Sequence, residues 1–171
     1  MNKIITTCLM LTSLNALAST LESKSIKLVK KYSSTIACSI NKDSYKAEGI
    51  TDNYDEYVIV YWEGDIGCSG GNGSINGEFT VVSKTHWGDL MVLPKIQQPE
   101  TKLVCVDTMV NKNELLNVNG IGYGPNDHQR TPNTRFQYTL KLDNLNNKFE
   151  VVKQVDNPNI KIDNECTSRV R

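Results

Sequence analysis

The sequence predicts a mainly β (α+β) domain in which about six or seven antiparallel strands form a β-sandwich or a curled sheet with one N-terminal helix. Three observations lead to this fold class. Short β-branched and aromatic runs recur along the chain and are separated by turns rich in Gly, Asn and Asp. Only one segment, near the N-terminus, spaces its apolar residues like a helix. Widely spaced cysteines downstream of it predict two disulfides.

The N-terminal residues have the pattern of a secretory signal peptide. Residues 1–18 read MNKIITTCLMLTSLNALA, a lysine followed by an apolar stretch that ends in an A-x-A cleavage site. The apolar part is too short for a membrane span of roughly 20 residues. We therefore expect cleavage after Ala18, one exported domain over residues 19–171, and a periplasmic or secreted location. Lipid modification at Cys8 is the alternative.

The charge balance of the chain indicates which classes of partner it can be expected to bind. The sequence has 19 Lys and Arg against 19 Asp and Glu, and loss of Lys3 with the signal leaves 18 against 19, a net charge of −1. A dedicated binder of nucleic acid or of anionic membranes would show a basic excess. The expectation is a protein partner, no nucleic acid and, because no later segment is apolar for long enough, no transmembrane segment.

The cysteines that remain after cleavage are even in number and widely spaced. In an exported chain this pattern predicts two disulfides, with three possible pairings that the sequence leaves open. No two of these cysteines have the spacing of a zinc clip, which argues against a metal site. The predicted disulfide residues are Cys38, Cys68, Cys105 and Cys166.

The helix is predicted over residues 20–35. Ser19 and Glu22 have the spacing of a capping box. The lysines of this segment lie off the apolar stripe and are interpreted as a solvated face. A disordered leader followed by a short strand at residues 35–40 is the competing interpretation. The apolar stripe consists of Leu28, Val29, Tyr32 and Ile36.

Residues 41–56 are polar and are predicted to form a solvated loop. Their acidic cluster, residues 52–56, suggests calcium at first sight. An EF-hand loop needs alternating acidic ligands, a central glycine and a terminal glutamate, and the cluster lacks that order. Neither a metal nor another cofactor is therefore predicted.

The stretch over residues 57–82 is the centre of the predicted fold. It begins with the apolar and aromatic run YVIVYW and ends with FTVV, which indicates two strands. Many glycines and Cys68 lie between the two runs. Because such a glycine-rich loop is entropically costly to order, a disulfide through Cys68 is expected to pin it.

The rest of the chain is predicted as hairpins and two further irregular segments. Residues 86–89 make the turn of a first hairpin, and residues 111–113 and 143–147 make two more turns. Residues 119–133 form a second long loop, and Cys166 ties a polar tail back to the domain. The strands predicted in this way cover residues 79–85, 90–94, 102–110, 114–118, 136–142 and 149–152.

Two strings resemble parts of protease motifs without the residues that perform the chemistry. Residues 67–71 match a structural GCSGG string of papain-like cysteine proteases, but the segment that carries their nucleophile is missing. Ile66 stands where the GDSGG motif of chymotrypsin-like proteases has its serine. The enzymatic alternative is a small periplasmic hydrolase that uses His86 or His128 as its base.

Surface recognition is the function that the sequence favours. We expect a non-enzymatic exported binding protein of the inhibitor or immunity type, acting on a secreted or periplasmic enzyme. An envelope-associated subunit that self-associates by strand addition is a further alternative. For Trp62 and Trp87, a place in the core is the competing interpretation. The candidate partner-binding residues are Tyr61, Trp62, Asp65, Ser69, His86, Trp87, Tyr123, His128 and Arg130.

Overall fold

The computed structural model describes residues 6–52, 55–71, 74–128, 131–157 and 166, with side chains from residue 21 onwards except that of Asp52. In these ranges the chain forms one helix and eight strands. The elements are α1 (Thr6–Ile36), β1 (Ile40–Asp52), β2 (Asp55–Gly64), β3 (Asn76–Lys84), β4 (Leu90–Val92), β5 (Leu103–Lys112), β6 (Leu115–Gly122), β7 (Thr134–Asp143) and β8 (Lys148–Asp156).

The strands form two antiparallel sheets in simple chain order. Sheet 1 has the order β1-β2-β3-β4 and sheet 2 has the order β5-β6-β7-β8. Within each sheet, every strand pairs antiparallel with the next strand in the chain, through a short turn as between β5 and β6 or through the longer loops that follow β2 and β6. The predicted mainly β fold with antiparallel sheets and an N-terminal helix is confirmed.

The larger core lies between the two sheets. Ile59, Tyr61 and Phe79 from sheet 1 pack with residues such as Leu116 and Leu140 from sheet 2, and all are fully or almost fully buried. The ring of Phe79 lies 5.3 Å from that of Tyr61. It also lies 6.0 Å from the ring of Phe149 on β8, so aromatic contacts cross from one sheet to the other.

A second core lies between sheet 1 and α1. Val58, Val60 and Trp62 point to this side of β2 and pack against helix residues including Val29 and Ile36. The Trp62 Nε1–H donates a hydrogen bond to Thr80 Oγ1 at 2.9 Å, so the indole is paired although it is buried. The layers therefore follow in the order helix, sheet 1, sheet 2.

The prediction of a loop over residues 41–56 is wrong, because most of this segment forms β1. This missed strand raises the number of strands in the described ranges to eight. Residues 42–45 bulge out of the register with β2, and Tyr45 on the bulge reaches α1, where its hydroxyl lies 2.7 Å from Ser33 Oγ. Cross-strand packing thus overrides the weak strand propensity of a polar sequence. The second long loop is also shorter than predicted, since β6 continues to Gly122.

Two disulfides are present, as predicted, and the structure gives their pairing. Cys38 bonds Cys68, which links the segment after α1 to the glycine-rich loop. Cys105 on β5 bonds Cys166, which ties the C-terminal tail to sheet 2 beside Ile121. The remainder of the predicted polar tail beyond Asn157 lies outside the described residues.

Helix α1 contains the predicted helical segment and extends upstream of it. It begins at Thr6 and ends at Ile36, whereas the sequence predicts residues 20–35. Cleavage after Ala18 and the exported location stay predictions. Among the described residues, no helix combines the length and hydropathy required to cross a membrane.

Candidate functional site

Both glycine-containing loops leave the same end of the two sheets. The first, named the glycine loop, covers residues 65–75 and connects β2 to β3. The second loop covers residues 123–133 and follows Gly122, which pairs with Leu103. Leu103 in turn lies against the start of β3, where a Cβ added to Gly77 would come within 3.0 Å of its carbonyl oxygen. We call this end of the molecule the loop end.

The glycine loop is anchored where it leaves β2. The Asp65 N–H donates to the Ser39 carbonyl at 2.9 Å, and the Cys38 N–H donates to the Asp65 carbonyl at 3.0 Å. The disulfide from Cys38 to Cys68 adds a covalent link three residues further on. The first residues of the loop are thus fixed to the segment between α1 and β1.

The side chain of Asp65 organises the next turn of the glycine loop. Its buried carboxylate accepts hydrogen bonds from the Gly70 N–H at 3.0 Å and the Ser69 N–H at 3.3 Å. The bond from Gly70 contributes most to lowering the pKa of Asp65, and further loop donors act in the same direction. An ionised carboxylate therefore holds the loop backbone around it.

The backbone of the glycine loop follows a path that few residues adopt. Gly70 and Gly71 have φ angles of 62° and 94°, in the left-handed region where a side chain is disfavoured. Cys68 has φ 51° although it carries a side chain, and this is uncommon for a residue other than glycine. The disulfide and the Asp65 carboxylate hold this conformation in place.

The anchored loop presents apolar side chains to solvent. Ile66 is 41% exposed and Ile75 is 38% exposed. They lie at the two ends of the loop, separated by exposed glycines and by Ser69. Ile66 lies in the anchored first part of the loop, and an exposed apolar side chain on an anchored backbone can enter a partner's pocket with little loss of entropy.

The second loop is built around Asp127 in a similar way. One carboxylate oxygen accepts hydrogen bonds from the N–H groups of Gly124, Asn133 and Thr134, at 2.9, 3.0 and 2.9 Å. These donors, Gly124 first, lower the pKa of Asp127 to about 2. The carboxylate therefore joins the beginning of this loop to its end, whereas Asp65 holds the turn that directly follows it.

The candidate residues of the second loop differ in their placement. Tyr123 is half-buried, and its N–H donates to the Lys102 carbonyl at 3.2 Å. His128 is exposed and forms an isolated bridge with Thr131. Arg130 lies outside the described residues. Tyr123 and His128 thus share the loop end with Asp65 and Ser69.

Tyr61 and Trp62 are placed where they contact the core rather than a partner. Tyr61 is fully buried between the sheets, and Trp62 is buried beneath α1. Trp62 is therefore a core residue, which is the competing interpretation that the sequence left open. Its aromatic residue type suggested recognition, but the unbroken apolar run of β2 places both of its faces in the interior.

His86 and Trp87 lie at the opposite end of sheet 1, in the turn between β3 and β4. Strand β3 separates them from the glycine loop by roughly 26 Å, at about 3.3 Å per residue. Trp87 is 87% exposed, and its ring lies 5.5 Å from that of His86. The structure therefore divides the sequence-derived candidates between two ends of the molecule.

The possible catalytic groups are also kept apart. His86 and His128 are exposed at opposite ends, and within the described ranges neither imidazole hydrogen-bonds a serine or a carboxylate. Cys68 belongs to a disulfide and has no thiolate to offer. Across the same ranges, no group of three or more His, Cys, Asp or Glu side chains is arranged to hold a metal ion.

The sequence analysis did not identify Ile66, Ile75 or Asp127 as candidate site residues. The sequence pattern that could have identified the two isoleucines is an apolar residue among glycines and polar residues. Such a residue lies outside any strand and is therefore expected to be exposed. For Asp127 the pattern is an aspartate in a Gly- and Pro-containing loop, a residue type that caps turns by accepting backbone N–H bonds. A comparison of the chain with protein-family models, with curated proteins and with solved structures gave no match.

Proposed function

We propose that this protein is an exported binding protein that inhibits or neutralises a secreted or periplasmic enzyme by docking the glycine loop into a concave site on that enzyme. The observation that carries the proposal is an exposed loop whose backbone is fixed by a disulfide and by a buried carboxylate. The two disulfides support an oxidising compartment, where such bonds persist.

The physical advantage of this loop is preorganisation. A glycine-rich segment that was mobile before binding would lose a large conformational entropy on docking. The links through Cys68 and Asp65 remove much of that loss during folding instead. Ile66 and Ile75 then supply apolar area, while the glycine backbone permits a close approach by the partner.

Self-association through β8, the outer strand of sheet 2, receives less support. Strand β8 lies at an edge of sheet 2, where a further strand could pair with its backbone, and its Val151 and Val152 are exposed. However, the register with β7 shifts opposite Thr139 and Leu140, and Glu150 and Lys153 flank the valines. Bulges and charges of this kind protect an edge against a further strand.

The test compares wild-type protein with two matched variants in affinity capture from secreted and periplasmic extracts. Ile66→Asp places a charge on the glycine loop. Leu145→Asp places the same charge on an exposed residue in the turn between β7 and β8, at the other end of sheet 2. A protein captured by wild type and by Leu145→Asp, but lost with Ile66→Asp, is then purified and titrated with all three proteins.

The expected result is one enzyme that wild type binds and inhibits, with affinity reduced at least tenfold by Ile66→Asp because central apolar contacts dominate such interfaces. The paired variant Cys38→Ser/Cys68→Ser should weaken binding while it retains Ile66, because it removes the covalent anchor of the loop. Equal capture by wild type and Ile66→Asp would overturn the proposal. A partner lost only with Trp87→Ala would place the binding site at the opposite end.

A further inference from the structure

The exposed surface of α1 has an unusual composition. Residues 21–36 alternate between a face that packs on sheet 1 and a face in solvent. The solvent face contains four lysines and three hydroxyl residues, without an acidic, apolar or aromatic residue among them. Its members are Ser23, Lys24, Lys27, Lys30, Lys31, Ser34 and Thr35. We call this surface the lysine face.

Among the described residues, no acidic side chain forms an ion pair with a lysine of this face. The ion pairs found among the described residues join Lys84 to Glu56 and Lys148 to Glu150, and both lie away from α1. Lys30 leans over the ring of Tyr45, with its Nζ 5.0 Å from the ring centroid. The other three lysines extend into solvent from about two turns of helix.

The balanced net charge of the chain hides a strong segregation of charge. Residues 21–36 hold four lysines and one acid, Glu22, which gives +3. Residues 37–171 hold 19 − 5 = 14 basic residues, after Lys3 and those four lysines are subtracted, and 19 − 1 = 18 acidic residues, which gives −4. The basic helix therefore covers one side of an acidic body, and total charge was a poor guide to its surfaces.

We propose that the lysine face is a docking surface for an anionic lipid headgroup layer. Its composition favours lipid over a folded protein partner, because protein interfaces are anchored by Trp, Tyr and Arg, which this face lacks. Lysines on flexible stems act as point charges that suit the diffuse charge of a headgroup layer, whereas arginine suits bidentate recognition of individual phosphates.

The binding that follows is electrostatic and peripheral. An amphipathic helix at a membrane usually inserts its apolar face, but here Val29, Leu28 and Ile36 already pack on sheet 1. Attraction to the membrane therefore depends on the lysine charges alone. It decreases with distance from the membrane surface over about one Debye length. The acidic body is then turned away from the membrane, on the other side of the helix.

The test measures partition of the oxidised full chain onto two kinds of vesicle. One contains phosphatidylcholine alone, and the other contains phosphatidylcholine with phosphatidylglycerol. Binding to the first vesicle measures any insertion by the apolar N-terminal residues, so the difference between the two reports the anionic component. The lysine-face variant is Lys24→Gln/Lys27→Gln/Lys31→Gln, which leaves Lys30 on Tyr45.

A matched control removes the same charge elsewhere. Lys112→Gln/Lys141→Gln/Lys153→Gln takes three exposed lysines from sheet 2. At about fivefold per lysine, the lysine-face variant should lose on the order of 100-fold in the anionic component, with far smaller loss in the control. Added salt should weaken wild-type binding strongly. Circular dichroism confirms that both variants stay folded.

Several outcomes would overturn the proposal. They are equal binding of wild type to the two vesicles, equal loss in both triple variants, or no loss in the lysine-face variant. Tighter binding to an anionic oligonucleotide than to anionic vesicles would assign the face to nucleic acid instead. None of these results depends on the glycine loop, since the lysine face belongs to a different element.

Discussion

The two sheets have the same topology but different surroundings. Each is a four-stranded antiparallel meander, yet sheet 1 has α1 on one face and sheet 2 on the other. Strand β2 is accordingly buried without interruption from Tyr57 to Gly64. Strand β7 of sheet 2 alternates between buried and partly exposed residues, because only its inner side chains reach the core. The comparison shows that the sequence indicates how many faces of a sheet are buried. A continuous apolar run indicates a strand buried on both faces, and an alternating run indicates a strand buried on one face.

The outward face of sheet 2 replaces apolar packing with hydrogen bonds between short polar side chains. The Asn119 Nδ2–H donates to Thr108 Oγ1 at 2.8 Å, and the Thr139 hydroxyl donates to Asn117 Oδ1 at 3.2 Å. A small apolar cluster at Ile121 marks where Cys166 joins this face. Identical strand order thus supports two different surfaces, one fully internal and one polar.

The largest expected contrast comes from the two tryptophans. Trp62→Ala should lower the free energy of unfolding by about 3–5 kcal/mol, because it removes a large buried side chain from between sheet 1 and α1. It also leaves the buried Thr80 hydroxyl without its partner. Trp87→Ala should change stability by no more than about 0.5 kcal/mol, because that indole is exposed. Urea unfolding of both variants provides the measurement, and similar losses would contradict the layer arrangement.

Much of the fold could be predicted from such periodicities. The run YVIVYW and the alternation FQYTLKL both indicated strands, and the helical spacing from Leu28 to Ile36 indicated the helix. Strand β1 was missed because its polar residues carry neither pattern. It forms because it pairs with the following strand β2 and because Glu48 Oε1 accepts a hydrogen bond from the Asn111 N–H of β5 at 2.8 Å, a contact distant in sequence.

The candidate site was predicted less well than the fold. The sequence located the glycine loop and its disulfide residue, because glycine and cysteine have strong local meaning. It could not distinguish an interior Trp62 from an exposed Trp87, since aromatic residues serve both roles. It also could not show that His86 and His128 lie at opposite ends, because that distance depends on which strand ends meet in the fold.

A matched pair of valine substitutions sharpens the comparison between the sheets. Val60 faces α1 and is fully buried, whereas Val110 points outward from β5 and is 44% exposed. Val60→Thr should cost about 1–3 kcal/mol, because it buries a hydroxyl group in an apolar layer. Val110→Thr should stay within about 0.5 kcal/mol of wild type. Thermal or urea unfolding tests both, and a costly Val110→Thr would mean that the outer face of sheet 2 is more covered than its exposure indicates.

The smallest expected effects concern two carboxyl groups whose contributions to the free energy of unfolding should change with pH in opposite directions. Burial raises the pKa of Glu78, which pairs with Trp62 in sheet 1, above its ordinary value of 4.5. Its charged form therefore opposes folding above that raised pKa, and the cost disappears as the pH falls through it. Backbone donors lower the pKa of Asp127, beside sheet 2, from 3.8 to about 2. Its charged form therefore stabilises the fold above about pH 4, and that contribution is lost between pH 4 and pH 2.

Urea unfolding between pH 2 and pH 7 should show these opposite slopes. Glu78→Gln should be more stable than wild type at neutral pH, with an advantage that vanishes in acid. Asp127→Asn should be less stable at neutral pH by about 1–2 kcal/mol, since three backbone N–H groups lose a charged acceptor. That deficit should shrink towards pH 2, where the wild-type carboxyl group also becomes neutral. If both differences had the same sign, burial beside sheet 1 and hydrogen bonding beside sheet 2 would not be the causes of the two shifts.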